Sequence, residues 1–146
     1  MQIRDAIFSD FQAAYSLYCE LAETNDAAAP SPDPQHWEAV ISHSGTHVLC
    51  APSDDALMAM LTLHLIPNVT YGAQPYALIE NVIVAKTHRG QGYGRRIMET
   101  AIGTAWSKSA YKIMLLTGIG RSAQGFYHKL GFDDGEKQGM ILRRPK

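Results

Sequence analysis

Arg89-Gly90-Gln91-Gly92-Tyr93-Gly94 lies between an apolar run, Ala77 to Ala85, and a run with helical spacing, Tyr93 to Trp106. This order predicts a strand, a glycine-rich turn and a helix. The first N–H groups of a helix point out of its end together with the positive pole of the helix dipole, so they bind anions. Arg89 adds a positive charge suited to bidentate contact with phosphate. The sequence therefore predicts a phosphate-binding site in this loop.

Three nucleotide-binding motifs have loops of this kind, and the spacing of their residues distinguishes them. The dinucleotide fingerprint requires Gly-x-Gly-x-x-Gly, whereas the glycines here stand at 90, 92 and 94. The triphosphate loop ends in Gly-Lys-Ser/Thr, but this loop continues as Gly94-Arg95-Arg96. The remaining pattern, Arg/Gln-x-x-Gly-x-Gly/Ala, is satisfied by Arg89, Gly92 and Gly94.

Two flanking segments extend this third pattern. The strand-like run Leu78 to Val84 precedes the loop, and the segment Gly125 to Phe132, which contains Phe-Tyr-x-x-x-Gly-Phe, follows it. With these three parts at these distances, the chain resembles the GNAT superfamily of acyl-CoA-dependent N-acyltransferases. The resemblance is clearest from Ala77 to Phe132 and implies a GNAT-like N-acetyltransferase domain.

The resemblance implies acetyl-CoA as the cosubstrate, with its pyrophosphate on the loop and its pantetheine arm beside the preceding strand. In the family this arm pairs with strand backbone as an added strand does, so Val82, Ile83 and Val84 are expected to contribute N–H and C=O groups. The N–H of Val82 or Ile83 is expected to polarise the thioester carbonyl. Ser122 is expected mainly as a helix N-cap and secondarily as a coenzyme contact.

Transfer by direct attack needs a base, because an alkylammonium with a pKa of about 10.4 is mostly protonated at neutral pH. Glu80 is the candidate, since it is an isolated acid inside an apolar strand, where desolvation would make its carboxylate more basic. A water could relay the proton. The leaving thiolate needs a proton donor, and the resemblance gives that role to Tyr127. The alternatives are a structural acid paired across the sheet and a tyrosine that packs at a helix end.

Other classes of function are also compatible with the loop. A catalytically silent acyl-CoA-binding regulatory domain would keep the loop but would not depend on Glu80 or Tyr127. A nucleotide oxidoreductase would bind NAD(H) or a flavin, which the glycine spacing disfavours. A protein-interaction module without a ligand would leave Arg89 and its glycines unexplained.

Length and charge restrict the partners. The chain has 146 residues and a formal net charge of −1, which predicts one domain over residues 1–146 and no general attraction to nucleic acid or an anionic membrane. Acidic residues interrupt the apolar residues near the N-terminus, so we expect neither a signal peptide nor a spanning helix, and we expect a cytoplasmic protein. Cys19 and Cys50 lack metal-ligand spacing and are expected to be buried thiols.

Hydrophobic periodicity predicts an α/β or α+β fold with one central, mixed, mostly antiparallel sheet flanked by helices. The expected strands are Gln2–Phe8, Thr46–Ala51, Ala56–Ile66, Ala77–Ala85, Tyr111–Thr117 and Gly139–Arg143. The expected helices run from an N-cap at Ser9 to about Glu23, over Trp37–Ile41, over Tyr93–Trp106, and over Ser122–Leu130. Gly131 is expected to end the last helix in the left-handed conformation.

The acceptor amine is the least constrained part of the interpretation. By family analogy the loop Pro67–Tyr76 and the connection Pro30–Pro34 line the acceptor site, and loops carry specificity. Small amines, amino sugars, and amino-acid or peptide amines all remain candidates. The run Ile79–Val82 is similar to that of glucosamine-6-phosphate N-acetyltransferases. His64 ends a strand near this side, where orienting a substrate and an ordinary core or surface position are equally good interpretations.

Metal binding and oligomeric state complete the expectations. No metal site is expected, because the histidines are not spaced as ligands; His43 and His47, four residues apart, flank a predicted strand start. Many members of the family are homodimers, so the resemblance also implies a homodimer.

Overall fold

Five strands form one mixed sheet, and their spatial order is their order in the sequence. They are β1 (Arg4–Asp5), β2 (Thr46–Ser53), β3 (Ala56–Ile66), β4 (Tyr76–Val84) and β5 (Ile113–Met114). The first four strands pair antiparallel, whereas β5 pairs parallel with β4. The computed structural model describes residues 1–120 and 123–145. The predicted mixed, mostly antiparallel sheet is confirmed.

The described residues include four α-helices. They are α1 (Phe11–Asn25), α2 (Pro34–Ile41), α3 (Tyr93–Ser107) and α4 (Ala123–His128). The start of α2 is set by two adjacent residues. The Asp33 carboxylate accepts a hydrogen bond from the N–H of Gln35 at 2.9 Å, and Pro34 is the first helical residue, where its missing N–H costs nothing. The proline-rich connection therefore positions a helix that begins earlier than the predicted Trp37.

Both faces of the sheet are covered, as the nearly continuous apolar strands predict. On one face a buried cluster joins strand residues to Ala14 and Leu17 of α1 and to Trp37 of α2. Its strand members are Val48, Cys50, Leu57, Met60 and Ile83. The opposite face of the sheet carries the alternate strand residues, such as Leu61 and Leu63, which are also fully buried. Helix α3 contacts β2, β3 and β4, and its buried residues lie outside the first cluster.

The predicted first strand and the predicted N-cap of the first helix are wrong in their bounds. Only Arg4–Asp5 form a strand, because Phe8–Asp10 make a 3₁₀ turn. Asp10 fixes this turn: its carboxylate accepts the N–H of Ile7 at 2.8 Å and both terminal guanidinium nitrogens of Arg4 at 2.7 and 3.0 Å. Asp10, not Ser9, is the residue before α1. The Arg4 guanidinium lowers the pKa of the Asp10 carboxyl.

Two predictions near the C-terminus are also wrong. The strand predicted over Tyr111–Thr117 is limited to Ile113–Met114, and Leu116 is exposed. Residues Gly139–Arg143 form no strand, and Met140 and Leu142 are exposed. Apolar periodicity favours a strand only where a neighbouring strand supplies the hydrogen bonds. In the described part of the chain, no strand pairs with residues 115–117 or with residues 139–143.

The chain divides into two compact units, Met1–Leu115 and Leu116–Lys146. The first contains the whole sheet with α1, α2 and α3, and the second contains α4. The expectation of one domain over residues 1–146 stays a prediction. Among the residues that the structure describes, no helix has the length and hydrophobicity needed to cross a membrane.

Candidate active site

The start of α3 presents backbone N–H groups beyond the helix end. Gly92 precedes the helix, and the first intrahelical bond runs from the N–H of Arg96 to the C=O of Gly92 at 3.1 Å. The N–H groups of residues 93–95 come before that bond. No side chain among the described residues caps this end. These N–H groups and the helix dipole are the features on which the predicted anion site depends.

Two glycines give the loop its shape. Gly90 has a φ of +76° and Gly92 a φ of +85°, a left-handed conformation that other residues adopt at a cost. A Cβ built on either glycine would have no described heavy atom within 4 Å. Conformation, not a steric clash inside the protein, therefore requires glycine here, and the adjacent space is open to a ligand.

The polar side chains of the loop hold it to the preceding strand. Nε of Arg89 donates to the C=O of Val84 at 3.2 Å, and the guanidinium is otherwise exposed. The amide of Gln91 donates to the C=O of Thr87 at 3.2 Å. The ring of Tyr93 packs edge to face against His88, with 5.6 Å between centroids. The loop is thus tied down while Arg89 keeps its charge at the surface.

Strand β4 contains a β-bulge that sequence reasoning missed. Glu80 pairs with Thr62, and Ile83 pairs with Met60. Two residues of β4, Asn81 and Val82, therefore stand opposite one residue of β3. Asn81 has a φ of +55°. The available signal was an asparagine inside an apolar strand, because asparagine tolerates the left-handed conformation better than most residues.

Beyond the bulge, β4 is paired on one side only. β5 pairs with Ala77 and Leu78, so in the described residues the second edge of β4 has no strand beside residues 79–84. The N–H of Ala85 donates to Met58 of β3 at 2.9 Å. The N–H and C=O groups of successive residues point to opposite sides of a strand. Counting back from Ala85, the groups of Ile83 therefore point to β3, and the groups of Val82 and Val84 point to the open edge.

Glu80 lies in a different environment from the one the sequence suggests. Its neighbours Ile79 and Ile83 are buried, but the side chain of Glu80 is exposed. The expectation that the apolar strand desolvates this carboxylate is wrong. The hydrophobic periodicity of the sequence indicates that helices cover this strand, but it does not indicate at which residue of the strand that cover ends. The exposed carboxylate is accessible to a cationic ligand from solvent.

Thr62, the partner of Glu80 across the strands, connects this face to α1. Directly paired residues share a face of the sheet, and Thr62 is only 2% exposed. Burial raises the pKa of the Tyr18 phenol in α1, and the Thr62 hydroxyl beside it lowers that pKa by a smaller amount. Glu80 therefore lies on the face that α1 covers, next to a buried hydroxyl that the sequence did not single out.

Tyr127 lies in α4, within the second unit. Its ring packs against Phe126 and Phe132 at centroid distances of 5.2 and 6.0 Å. Burial raises the pKa of its phenol above the ordinary value, which makes the phenol a weaker acid than an exposed tyrosine. Its C=O accepts the N–H of Leu130 and of Phe132, and Gly131 has a φ of +93°, as predicted for the helix end. The predicted site residue Ser122 lies outside the described residues.

The histidine, cysteine and acidic side chains of the described residues are spread over the structure and do not form a metal site. In residues 1–120 and 123–145 no three histidine, cysteine, aspartate or glutamate side chains are arranged to hold a metal ion. Cys19 is partly buried and Cys50 is buried, and both are free thiols. Burial raises the pKa of Cys50 to about 11, so its thiol stays protonated.

Comparison with known proteins gives consistent results. A profile of the acetyltransferase (GNAT) family matches residues 5–132. A glucosamine 6-phosphate N-acetyltransferase from Trypanosoma brucei brucei is 30% identical over 93 residues, which are 64% of this chain and 62% of that protein. The match thus spans less than two thirds of the relative.

Solved structures share the whole fold. A protein from Agrobacterium tumefaciens str. C58, provisionally assigned as an acetyltransferase, has 33% identity and a TM-score of 0.89 over 99% of this chain and 100% of its own. A transcriptional regulator from Bacillus halodurans C-125 has 23% identity and a TM-score of 0.85 over 98% and 99% of the two chains. The second likeness is one of fold alone.

Proposed function

Because the chain belongs to the acetyltransferase (GNAT) family, we propose that it transfers an acetyl group from acetyl-CoA to a primary amine of a small molecule or peptide by direct attack. The observation that carries this proposal is the uncapped start of α3 beside the open edge of β4. The first feature suits a pyrophosphate and the second suits a chain of amides.

Residues 89–94 bind the pyrophosphate in this proposal. The N–H groups at the start of α3 donate to its oxygens, and the positive φ of Gly90 and Gly92 lets the backbone approach them. Arg89 contributes its guanidinium, and Gln91, Tyr93 and Gly94 complete the cradle. Nε of Arg89 stays on the C=O of Val84, which leaves the terminal nitrogens for phosphate.

The pantetheine arm extends along the open edge of β4. Val82 supplies its N–H and C=O groups and Val84 its N–H, since these point away from β3, while the C=O of Val84 stays bonded to Arg89. The N–H of Val82 is the donor for the thioester oxygen, and one such donor is typically worth about 3 kcal/mol in catalysis. Ile83 contributes by fixing the strand, because its side chain is buried in the core cluster.

Glu80 contacts the acceptor amine. An exposed carboxylate pairs with the ammonium form of the amine and takes its proton directly or through a water. Neutral amine then attacks the thioester carbon, the C–S bond breaks, and the thiolate takes a proton from Tyr127. The acylated nitrogen gives up its second proton, which returns to the Tyr127 phenolate through water, so that a neutral amide, CoA thiol and phenol result. Tyr127 is a phenol and therefore protonated before the reaction.

The acceptor class is open to a direct screen. The Trypanosoma relative is a glucosamine 6-phosphate N-acetyltransferase, so phosphorylated amino sugars are the first compounds to test. Polyamines, amino acids and short peptides follow. The single-domain organisation over residues 1–146, a cytoplasmic location and a homodimer are further proposals that rest on the family resemblance.

The test is release of CoA from acetyl-CoA in the presence of each amine. We expect saturable release with at least one amine class, and Tyr127→Phe should lower kcat by about 100-fold, as loss of a general acid does, with little change in acetyl-CoA affinity. Glu80→Gln should raise KM for the amine and lower kcat. Glu99→Gln is the matched control, since Glu99 is exposed on α3 and paired with Arg95.

A second candidate function is a catalytically silent acyl-CoA-binding regulatory domain. The Bacillus regulator that shares the fold is the observation in its favour. That function predicts acetyl-CoA binding without CoA release, and no measurable effect of Glu80→Gln or Tyr127→Phe. Release that depends on both residues would exclude it.

A further inference from the structure

Thr46 of β2 forms hydrogen bonds with two imidazoles. Its Oγ1 lies 2.9 Å from Nδ1 of His43 and 3.0 Å from Nδ1 of His64. A hydroxyl carries one proton, so it donates to at most one of the two nitrogens. The other imidazole must donate its own Nδ1–H to Oγ1. The three side chains therefore form a hydrogen-bonded chain with a direction.

The hydroxyl in the middle of this chain is buried, and both imidazoles are more accessible. Thr46 is 9% exposed, His64 is partly buried, and His43 is exposed. His43 lies in the turn before β2, whereas His64 lies within β3. The chain of hydrogen bonds thus runs from β3 through a buried hydroxyl to an exposed turn.

His64 and Glu80 lie on the same face of the sheet. Glu80 pairs with Thr62, and His64 is two residues from Thr62 on the same strand. Such diagonal neighbours are roughly 7–8 Å apart, within reach of long side chains or one water. His43, Glu80, Tyr18 and Tyr76 are the titratable groups that face His64 from the neighbouring elements.

We propose that His64, Thr46 and His43 form a proton relay from the acceptor site to solvent. This inference rests on the proposed function, because it concerns the proton that the amine releases. In the resting chain His64 donates Nδ1–H to Thr46, Thr46 donates to Nδ1 of His43, and Nε2 of His64 carries a lone pair. His64 is the member that receives the proton, and Thr46 and His43 are positioning residues.

The relay conserves protons and moves no electrons. The ammonium N–H bond breaks, and the proton reaches Nε2 of His64 by way of Glu80 or a water. His64 passes its Nδ1 proton to Thr46 as Thr46 passes its own to His43. His43 then releases its Nε2 proton to solvent. One proton leaves for each amide bond formed, as the overall reaction requires. The resting tautomers return when His64 and His43 exchange their ring protons with water and the Thr46 hydroxyl turns back toward His43.

The kinetic test compares pH profiles of kcat. His64→Gln keeps a donor for Thr46 but cannot relay a proton, so it should lower kcat by roughly 10- to 100-fold and change the shape of the wild-type profile. Thr46→Val should do the same, whereas Thr46→Ser should restore both.

The matched control is His47→Gln. His47 follows Thr46 in β2, so it points to the opposite face, and it pairs with Asp5 at 3.0 Å. Its variant should keep the wild-type profile. A His64→Gln enzyme with an unchanged pH profile and an unchanged kcat would overturn the relay, and a lower melting temperature with no change in either would show a structural role.

A second measurement needs no acceptor. Nitrogen-15 NMR of the imidazoles at neutral pH should find His64 protonated on Nδ1 and His43 unprotonated on Nδ1, with both tautomer populations changed in Thr46→Val. The reverse tautomers would overturn the relay even if CoA release is observed. Absence of CoA release with every amine would contradict the proposed function instead, which keeps the two failures distinct.

Discussion

The two halves of β4 differ in what lies along their second edge. Ala77 and Leu78 pair with β3 on one side and with β5 on the other. Ile83 and Val84 pair with β3 alone. The bulge at Asn81 and Val82 separates the halves. One strand thus serves two purposes: its first half completes the sheet, and its second half leaves backbone groups for a ligand.

This contrast explains why the loop that follows β4 is informative. A strand paired on both sides has no free backbone donors, so a glycine loop after it would be only a turn. A strand with an open edge that leads into an uncapped helix presents two sets of N–H groups in succession. Mutations in the first half of β4 should therefore lower the stability of the protein, and mutations in the second half should lower its affinity for the ligand.

The largest effect is expected for Ile79→Ala, next to the doubly paired half. Ile79 is 2% exposed and pairs with Leu63, which is fully buried. Removal of its side chain should lower the free energy of unfolding by about 3 kcal/mol, and Ile79→Val by about 1 kcal/mol. Urea denaturation measures both. Affinity for acetyl-CoA in the folded variants should stay within about twofold of the wild-type value. A large loss of affinity would show that the two halves of β4 do not have separate roles.

Cys50 tests whether water is excluded from the face of the sheet that contains the second half of β4, even though the edge of that half is unpaired. Cys50 pairs with Met60, the partner of Ile83. The pKa of Cys50 is raised by burial from 9.0 to about 11, so the unfolded chain releases this proton at lower pH than the folded one. The stabilisation is complete below pH 9 and is lost as pH rises toward 11, by about 2 kcal/mol.

The measurement is the free energy of unfolding from pH 8 to 11. Cys50→Ala should flatten the alkaline slope, and Cys19→Ala should leave it unchanged. Equal slopes in wild type and Cys50→Ala would mean that water reaches this face of β4.

Arg89→Ala should act on binding alone. Loss of the guanidinium removes charge-assisted hydrogen bonds to phosphate, which should weaken acetyl-CoA affinity by about 10-fold, or 1.4 kcal/mol. The melting temperature should hardly change, since Arg89 is exposed. Arg143→Ala, an exposed arginine of the second unit, is the control. Calorimetric titration measures both affinities. If the Arg89→Ala and Arg143→Ala variants both bind acetyl-CoA with the wild-type affinity, Arg89 does not contact the phosphate.

Asn81 tests the bulge itself, with the smallest expected effect. At a φ of +55°, Asn81→Ala should cost about 1 kcal/mol of stability, whereas Asn81→Gly should be nearly neutral. If the Asn81→Ala variant is as stable as the Asn81→Gly variant, the left-handed conformation at position 81 does not determine the bulge. Retained acetyl-CoA affinity in an Asn81→Ala variant would show that the open edge does not depend on it.

The sequence predicted most of the first unit because its signals are local. Periodicity located β2, β3, β4 and α3 to within about two residues, and the glycines of the loop have a direct conformational reason in their positive φ angles. The family resemblance is confirmed by the profile match over residues 5–132. The catalytic roles of Glu80 and Tyr127 stay predictions.

What the sequence could not give depends on tertiary neighbours. The exposure of Glu80 depends on where the helices stop covering the sheet. The shortness of β5 and the absence of a strand at Gly139–Arg143 depend on which edges are available for pairing, which periodicity does not encode. The Thr46 relay joins residues 18 positions apart, and only the β2–β3 register brings them together.

Calorimetric titration of the purified protein with acetyl-CoA, with CoA and NAD in parallel, tests the central claim most directly. The account predicts saturable binding of acetyl-CoA and CoA, weakened by Arg89→Ala, and no binding of NAD. Absence of acetyl-CoA binding, or binding of NAD in its place, would contradict the assignment of the loop and the open edge of β4 to an acyl-CoA.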